Sequence, residues 1–365
     1  MNLMTIRAFY LPLFRSNVLE DENHTKSNDN LRKEKKRLRK YSFLILILFF
    51  LLPTNICLSA EVDEDKLRAE RMMLFHKMET LTHVPWYIYA GIDQYERSIR
   101  RSQKDIPREK GAIAIYIPPE KWAGGANPNK ADTSANSISF FGGIGLDGNG
   151  DGKAVITDDE DLLYTIGHFL QSYGTTIEDI RIGLWDYYHR DQAVRTIISN
   201  SAVYRTFETL KLEKHAFPVP LHANYSYRST WGDRRGWGGL RIHEGTDIFA
   251  SYGVAVKSTS YGTVETKGWN RYGGWRIGIR DIQGNYHYYA HLNGFEKGIE
   301  KDSVVQPGQV IGYVGSSGYG PKGTAGKFPP HLHYGIYKDN GRTEWSYDPY
   351  PSLRLWERQE RSRKK

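Results

Sequence analysis

Pro330-His331-Leu332-His333-Tyr334-Gly335-Ile336-Tyr337 decides how the C-terminal part of this 365-residue chain is read. Its aromatic and β-branched content favours a strand, and residues two apart in a strand share a face. His331 and His333 are therefore expected side by side. Similar short segments lie upstream at 254–258, 263–267, 275–280, 287–292 and 310–314, separated by Gly-containing turns. Residues 231–350 thus predict a β-rich, antiparallel domain with a groove.

Working outward, the texture changes on the N-terminal side. Between about 80 and 214 the signals are helical with long loops; in 161–173 and 191–210 apolar residues recur at three- and four-residue intervals. Residues 61–80 form a charged, helical-looking leader. A segment with Pro218 and Pro220 and little periodicity, 215–230, reads as a linker. The length exceeds that of a usual single domain, so two domains with separate cores are expected. The fold class is α+β multidomain, with a helical domain over 61–214 and a β-rich domain over 231–350.

The formal charge of +8 is unevenly placed. Residues 1–60 hold a net +5 and the tail 351–365 a net +4, which leaves the body near neutral. A nucleic-acid partner is therefore excluded as a leading reading. The tail reads as a solvated basic end. The run Arg32-Lys33-Glu34-Lys35-Lys36-Arg37-Leu38-Arg39-Lys40 precedes about ten apolar residues at 43–52, too few for the ~20 of a spanning helix. With Ser59-Ala60 following, residues 1–60 read as a signal peptide with a long basic n-region, touching membrane only in transit. Secretion to the cell wall is the expected location. Cys57 is the only cysteine, so cleavage after Ala60 would leave no thiol and exclude cysteine nucleophiles.

The chemistry concentrates in histidines. His243-Glu244-Gly245-Thr246-Asp247 supplies an imidazole and a carboxylate four apart; Tyr289-Ala290-His291-Leu292 adds another imidazole; His331 and His333 complete the set. A hydrolytic zinc site needs three protein ligands and one open position, which one Asp and two His satisfy, leaving other imidazoles to move protons. His287 would share a strand face with His291 and reads as a groove-edge or surface residue. Tyr286, Tyr288, Tyr289, Trp269 and Trp275 are candidates for lining the groove, although strand aromatics usually just pack.

With Val305-x-Pro307-Gly308-Gln309-x-Ile311-Gly312 and Gly315-Ser316-Ser317-Gly318, these motifs resemble the lysostaphin/LytM-type zinc endopeptidases that cut peptidoglycan peptides. The resemblance covers about a third of the chain. It implies one zinc ion held by His243, Asp247 and His333, with His291 and His331 as the catalytic pair that handles the attacking water and the oxyanion.

The helical segment shows a fainter resemblance to lysozyme-like lytic transglycosylases. Val84-Pro85-Trp86-Tyr87 through Tyr95-Glu96 is similar to that family's catalytic helix, with Glu96 in the place of its acid, and Ile117-Pro118-Pro119-Glu120-Lys121-Trp122 to its groove loop. Arg97-Ser98-Ile99-Arg100 departs from the pattern, which implies glycan binding without cleavage. Asp147-Gly148-Asn149-Gly150-Asp151-Gly152, with Asp158 at the twelfth position, follows an EF-hand order of oxygen ligands. Calcium at Asp147, Asn149, Asp151 and Asp158 competes there with an ion-free Asp/Asn/Gly turn.

The resulting expectation is a secreted zinc metalloendopeptidase acting on peptidoglycan stem peptides. The pairing of the two segments resembles sporulation endopeptidases of bacilli that cut the L-Ala–D-Glu bond during spore cortex formation, in the space between forespore and mother cell. The alternatives are a D,D-endopeptidase or glycyl-bond hydrolase on cross-links, a non-catalytic wall-binding scaffold, or glycan cleavage driven by Glu96.

Overall fold

The computed structural model describes residues 55–365 except 101, 104–110, 237–239 and 364–365. The expected signal segment lies almost wholly outside the described residues. No described helix is long and apolar enough to cross a membrane. The chain divides into two units, 1–64 and 65–365. Of the first, only the opening turns of helix α1 (Asn55–Thr82) are described, and everything below concerns the second.

Helices α2 (Trp86–Arg100), α3 (Pro119–Ala123), α4 (Ala135–Phe140), α5 (Asp159–Gln171), α6 (Ile177–Tyr188) and α7 (Asp191–Phe207) follow. In α2 the buried Ile88, Ile92, Tyr95 and Ile99 recur at helical spacing and face α7. The two helices approach closely because Gly91 has no side chain; a Cβ there would lie 2.3 Å from the Ser201 hydroxyl. Residue chemistry sets the helix starts: Asp158 caps α5 through the N–H groups of Glu160 and Asp161, and Thr176 with Asp179 forms a capping box on α6.

The β-rich region is antiparallel. Its main path runs β1 (Tyr225–Tyr227), β4 (Thr246–Ala250), β11 (His331–Asp339), β8 (Asn285–Phe295), β7 (Gly274–Asp281), β6 (Gly262–Asn270), β9 (Val304–Val305). β12 (Glu344–Tyr347) extends β11, and β10 (Val310–Val314) bridges β8 and β5 (Ala255–Lys257). A separate hairpin joins β2 (Arg234–Arg235) to β3 (Arg241–Ile242). One face of the sheet is core, with Ile248, Leu332, Tyr334, Ile336, Tyr289, Ile277, Ile279 and Val264 all at most 1% exposed. Each such side chain contributes roughly 1.5–3 kcal/mol of burial.

Three expectations need correction. The segment 215–230 is no loose linker: Phe217 and Val219 are fully buried in the sheet's core, and 225–227 form its first strand. The tail is largely helix α8 (Tyr350–Arg363), which buries Leu353 and Trp356 in that core. Its Glu357 accepts from the hydroxyls of Tyr225 and Tyr227, so the charged residues grip β1 and are not simply solvated. The calcium reading has no support. Asp147 accepts from Gly150 and Gly152 N–H, Asn149 from Asp151, Asp151 from Lys153, and Asp158 is spent on its helix cap. The loop closes on its own N–H groups as an Asp/Asn/Gly turn.

The helices and the sheet carry two large hydrophobic clusters that are not independent. Ile282, from the β7–β8 turn, belongs to the helical cluster, and Tyr261 and Val304 pack against it. Arg190 clamps the buried Asp339 at the end of β11 through two hydrogen bonds of 2.7 and 2.9 Å. The Ser199 hydroxyl donates to Thr263 at 2.7 Å.

Candidate active site

Antiparallel pairing sets His333 opposite Asp247 and Leu332 opposite Ile248. Alternation then sends Leu332 and Ile248 into the core and His331, His333 and Asp247 to the other face. His243 arrives from the turn before β4. Gly245 is needed here because a Cβ would lie 2.6 Å from the His333 ring. The result is a trio in which His243 Nε2 is 2.8 Å from His333 Nδ1 and 3.0 Å from Asp247 Oδ1, and His333 Nδ1 is 3.1 Å from that same oxygen. Among the described residues this is the one group of three His, Cys or acidic side chains whose ligand atoms converge this closely.

His291 reaches the same place by a different route. Ala290 pairs with His333 and so shares its face, whereas Tyr289 is core. Plain alternation would bury His291 beside Tyr289. Instead His291 adopts a left-handed backbone, φ +62°, where the β7–β8 and β8–β10 ladders are irregular. That break turns the imidazole onto the groove face, 4.8 Å from the ring of His331. His287 stays on the core side, bonded to Asp281 and Tyr334 and 1% exposed. It is a buried residue and neither lines the groove edge nor faces solvent.

Backbone carbonyls fix three of the four imidazoles. His243 Nδ1 donates to Thr230 at 2.7 Å, His291 Nδ1 to Ser317 at 2.7 Å, and His331 Nδ1 to Pro329 at 2.8 Å. Each bond leaves an Nε2 lone pair free for a metal or a proton. Burial pushes the His291 and His331 pKa values down, and for His291 the neighbouring His331 adds to it, so both rings are neutral bases. Burial alone would raise the Asp247 carboxyl, but hydrogen bonds with His243 and His333 outweigh it and hold the group far below the usual carboxylate range. The other Asp247 oxygen takes the Arg235 guanidinium at 2.6 Å. Two imidazole nitrogens and one carboxylate oxygen, with orienting partners behind them, fit the donor set of a catalytic zinc centre.

The trio and both further histidines line a groove of about 960 Å³. Tyr286 and Tyr288 line it as well, while Tyr289 is fully buried and Trp269 and Trp275 pack edge to face on each other away from it. Sequence reasoning missed Arg235, Tyr319 and Phe328. Phe328 packs against both His291 and His331, with ring centres 4.7 and 5.1 Å away, and Tyr319 stacks on His291. No motif spacing marks them; only the Gly315–Gly318 turn, through Ser317, carried a sequence signal.

Glu96 lies away from this groove, on α2. It is 4% exposed and accepts a 2.7 Å hydrogen bond from the Tyr188 hydroxyl. Burial raises its pKa to about 7.

Three donors that could hold a metal ion, two of them on an antiparallel sheet and with two further buried imidazoles beside them, fit a metallopeptidase, and the chain belongs to peptidase family M23, a zinc-dependent family, which residues 241–345 match. It is 59% identical over 324 residues to the L-Ala–D-Glu endopeptidase of Bacillus subtilis (strain 168), a match covering 89% of this chain and 98% of that protein. Lysostaphin of Staphylococcus staphylolyticus is 35% identical over 115 residues, 31% of this chain and 22% of that one. Among solved structures, the catalytic domain of lysostaphin from Staphylococcus simulans is 29% identical, covers 36% of this chain and 92% of its own, and has a TM-score of 0.29.

Proposed function

We propose that the chain hydrolyses the L-Ala–D-Glu bond of peptidoglycan stem peptides, with zinc held by His243, Asp247 and His333. The observation that carries the chemistry is the convergence of those three donors in the floor of a groove. The 59% identity along nearly the whole length of an L-Ala–D-Glu endopeptidase supports the choice of bond. When bound, zinc would polarise the peptide carbonyl and lower the pKa of the attacking water toward neutrality. The rest falls to the chain's own groups. His291 and His331, anchored at Nδ1, present Nε2 to the substrate: one of them takes the proton of the attacking water and, once protonated there, donates to the developing oxyanion and then passes that proton to the leaving amine. Arg235 holds the outer oxygen of Asp247 and so orients the inner one toward the histidines.

The remaining parts of the proposal follow from the substrate. The segment 61–214 is a degenerate lysozyme-like fold that seats the glycan; the enclosure of Glu96 under Tyr188 favours binding over cleavage. The proposal includes export, since the substrate is wall material, and a role in spore cortex formation, which the likeness to an L-Ala–D-Glu endopeptidase of Bacillus subtilis supports. The decisive experiment digests uncross-linked muramyl tetrapeptide and identifies the products by mass spectrometry. Release of a tripeptide beginning with D-Glu, lost on chelation and restored by zinc, is the expected result. Activity confined to cross-linked dimers would refute the bond assignment.

A further inference from the structure

The groove floor is one continuous face of the sheet. From Asp247 on β4 it passes to His333 on β11, then to Tyr288 on β8, opposite Gly335, and then to Gly278 on β7, opposite Tyr288. Arg276 stands two residues before Gly278, where the β7–β8 register slips between Trp275 and Ile277. Such a bulge re-aims a side chain. The Arg276 guanidinium sits over the Tyr288 ring, 5.9 Å from its centre, and that ring is 5.8 Å from the ring of His333. A fixed positive charge therefore lies one aromatic ring away from the metal-binding trio.

The charge balance of the groove leaves two of its guanidiniums without a carboxylate, and this is one of them. Arg235 is neutralised by Asp247, and Arg280, further along the same strand face, by Glu265 and Glu344. Among the described residues Arg241 has no carboxylate partner either; it meets the Tyr319 hydroxyl and lies over the Tyr272 and Tyr319 rings. Arg276 is half-buried with the Tyr288 hydroxyl as its partner and, among the described residues, has neither an ion pair nor a hydrogen bond to a carboxylate; of the two guanidiniums without a carboxylate, it is the one over the ring that touches His333. An uncompensated, partly desolvated guanidinium is costly unless an anionic ligand completes it, and its planar fork matches a carboxylate.

The substrate offers such a group. A glutamate within a linear peptide has two carboxyls and continues the chain through one, so the other remains free within a few bonds of the scissile nitrogen. Neutral glycyl cross-links offer nothing equivalent. We infer that Arg276 is a specificity-determining residue that binds the free carboxylate of the D-glutamate following the scissile bond. The inference rests on the L-Ala–D-Glu reading above.

The test compares kcat/KM of the zinc-loaded full-length protein on two muramyl tetrapeptides, one with that carboxylate free and one with it converted to the amide. The wild type is expected to prefer the acid by about 10- to 100-fold, the range for a hydrogen bond to a charged group. Arg276→Gln should bring the two substrates level by losing rate on the acid alone, with zinc content and thermal unfolding unchanged. Arg276→Lys should keep part of the preference, and Arg241→Gln should keep the acid-to-amide ratio. If the wild type cuts both peptides and Arg276→Gln leaves their ratio intact, or if Arg241→Gln is the variant that abolishes it, the assignment of Arg276 falls and the bond assignment stands. If the wild type cuts neither peptide, the bond assignment falls and takes this inference with it.

Discussion

His333 and Asp247 stand directly opposite one another on adjacent antiparallel strands, with Nδ1 and Oδ1 3.1 Å apart. Sheet register, not a flexible loop, thus sets the separation of two of the three groups proposed to hold the metal. His243→Ala, Asp247→Ala and His333→Ala should each strip most of the zinc and abolish hydrolysis, because two ligands do not hold an open tetrahedral site. Metal content after dialysis, measured beside peptide release, checks this; full activity in any of the three would remove that residue from the ligand set.

His291 and His331 are predicted to behave differently. Their alanine variants should retain most of the zinc while losing on the order of 10²–10⁴ in rate, the range for removal of a general acid–base group. A variant that lost metal as completely as His333→Ala would have to be reassigned as a ligand.

Arg235 reaches Asp247 from the β2–β3 hairpin. Arg235→Gln should weaken zinc binding roughly 10- to 100-fold, as loss of an outer-shell partner does. Competition with a chelator of known affinity reads this directly; unchanged affinity would make the contact incidental.

Glu96 gives the protein a pH-dependent stability. Its carboxyl ionises near 4.5 when unfolded but only at about 7 in the fold, because burial disfavours the charge. Between those values the native state binds more protons than the unfolded one, so its contribution is full below about pH 4.5 and is lost as pH rises through 7. The shift corresponds to about 3 kcal/mol at most. Urea unfolding from pH 4.5 to 8 should show this decline in the wild type and a flatter profile in Glu96→Gln. Parallel profiles would dispose of the assignment.

How much of this was legible beforehand depends on how local the cause was. His331 and His333 could be placed because a strand's period of two needs no other information. The side on which His291 falls could not, since alternation puts it in the core and only its left-handed backbone reverses that. Strand β1 is three residues long, too short to show a pattern, and α8 buries just Leu353 and Trp356 within a charged sequence. From sequence the first therefore reads as a linker and the second as a solvated basic end. The 147–158 loop misled for a related reason: Asp, Asn and Gly are the residues of tight turns whether or not an ion is present. Arg235 and Arg276 carry no motif, and their roles follow from which carboxylates lie beside them and which do not.

The anchoring of three imidazoles by the carbonyls of Thr230, Ser317 and Pro329 has a consequence for how such an enzyme can change. A carbonyl belongs to the main chain, so exchanging the side chain that bears it leaves the acceptor in place. Ring orientation and tautomer are thus insulated from most mutations at the anchoring positions. Side chains along the groove walls can then be exchanged without disturbing the orientation of these rings, and a new peptide preference could be selected while the site itself stays as it is.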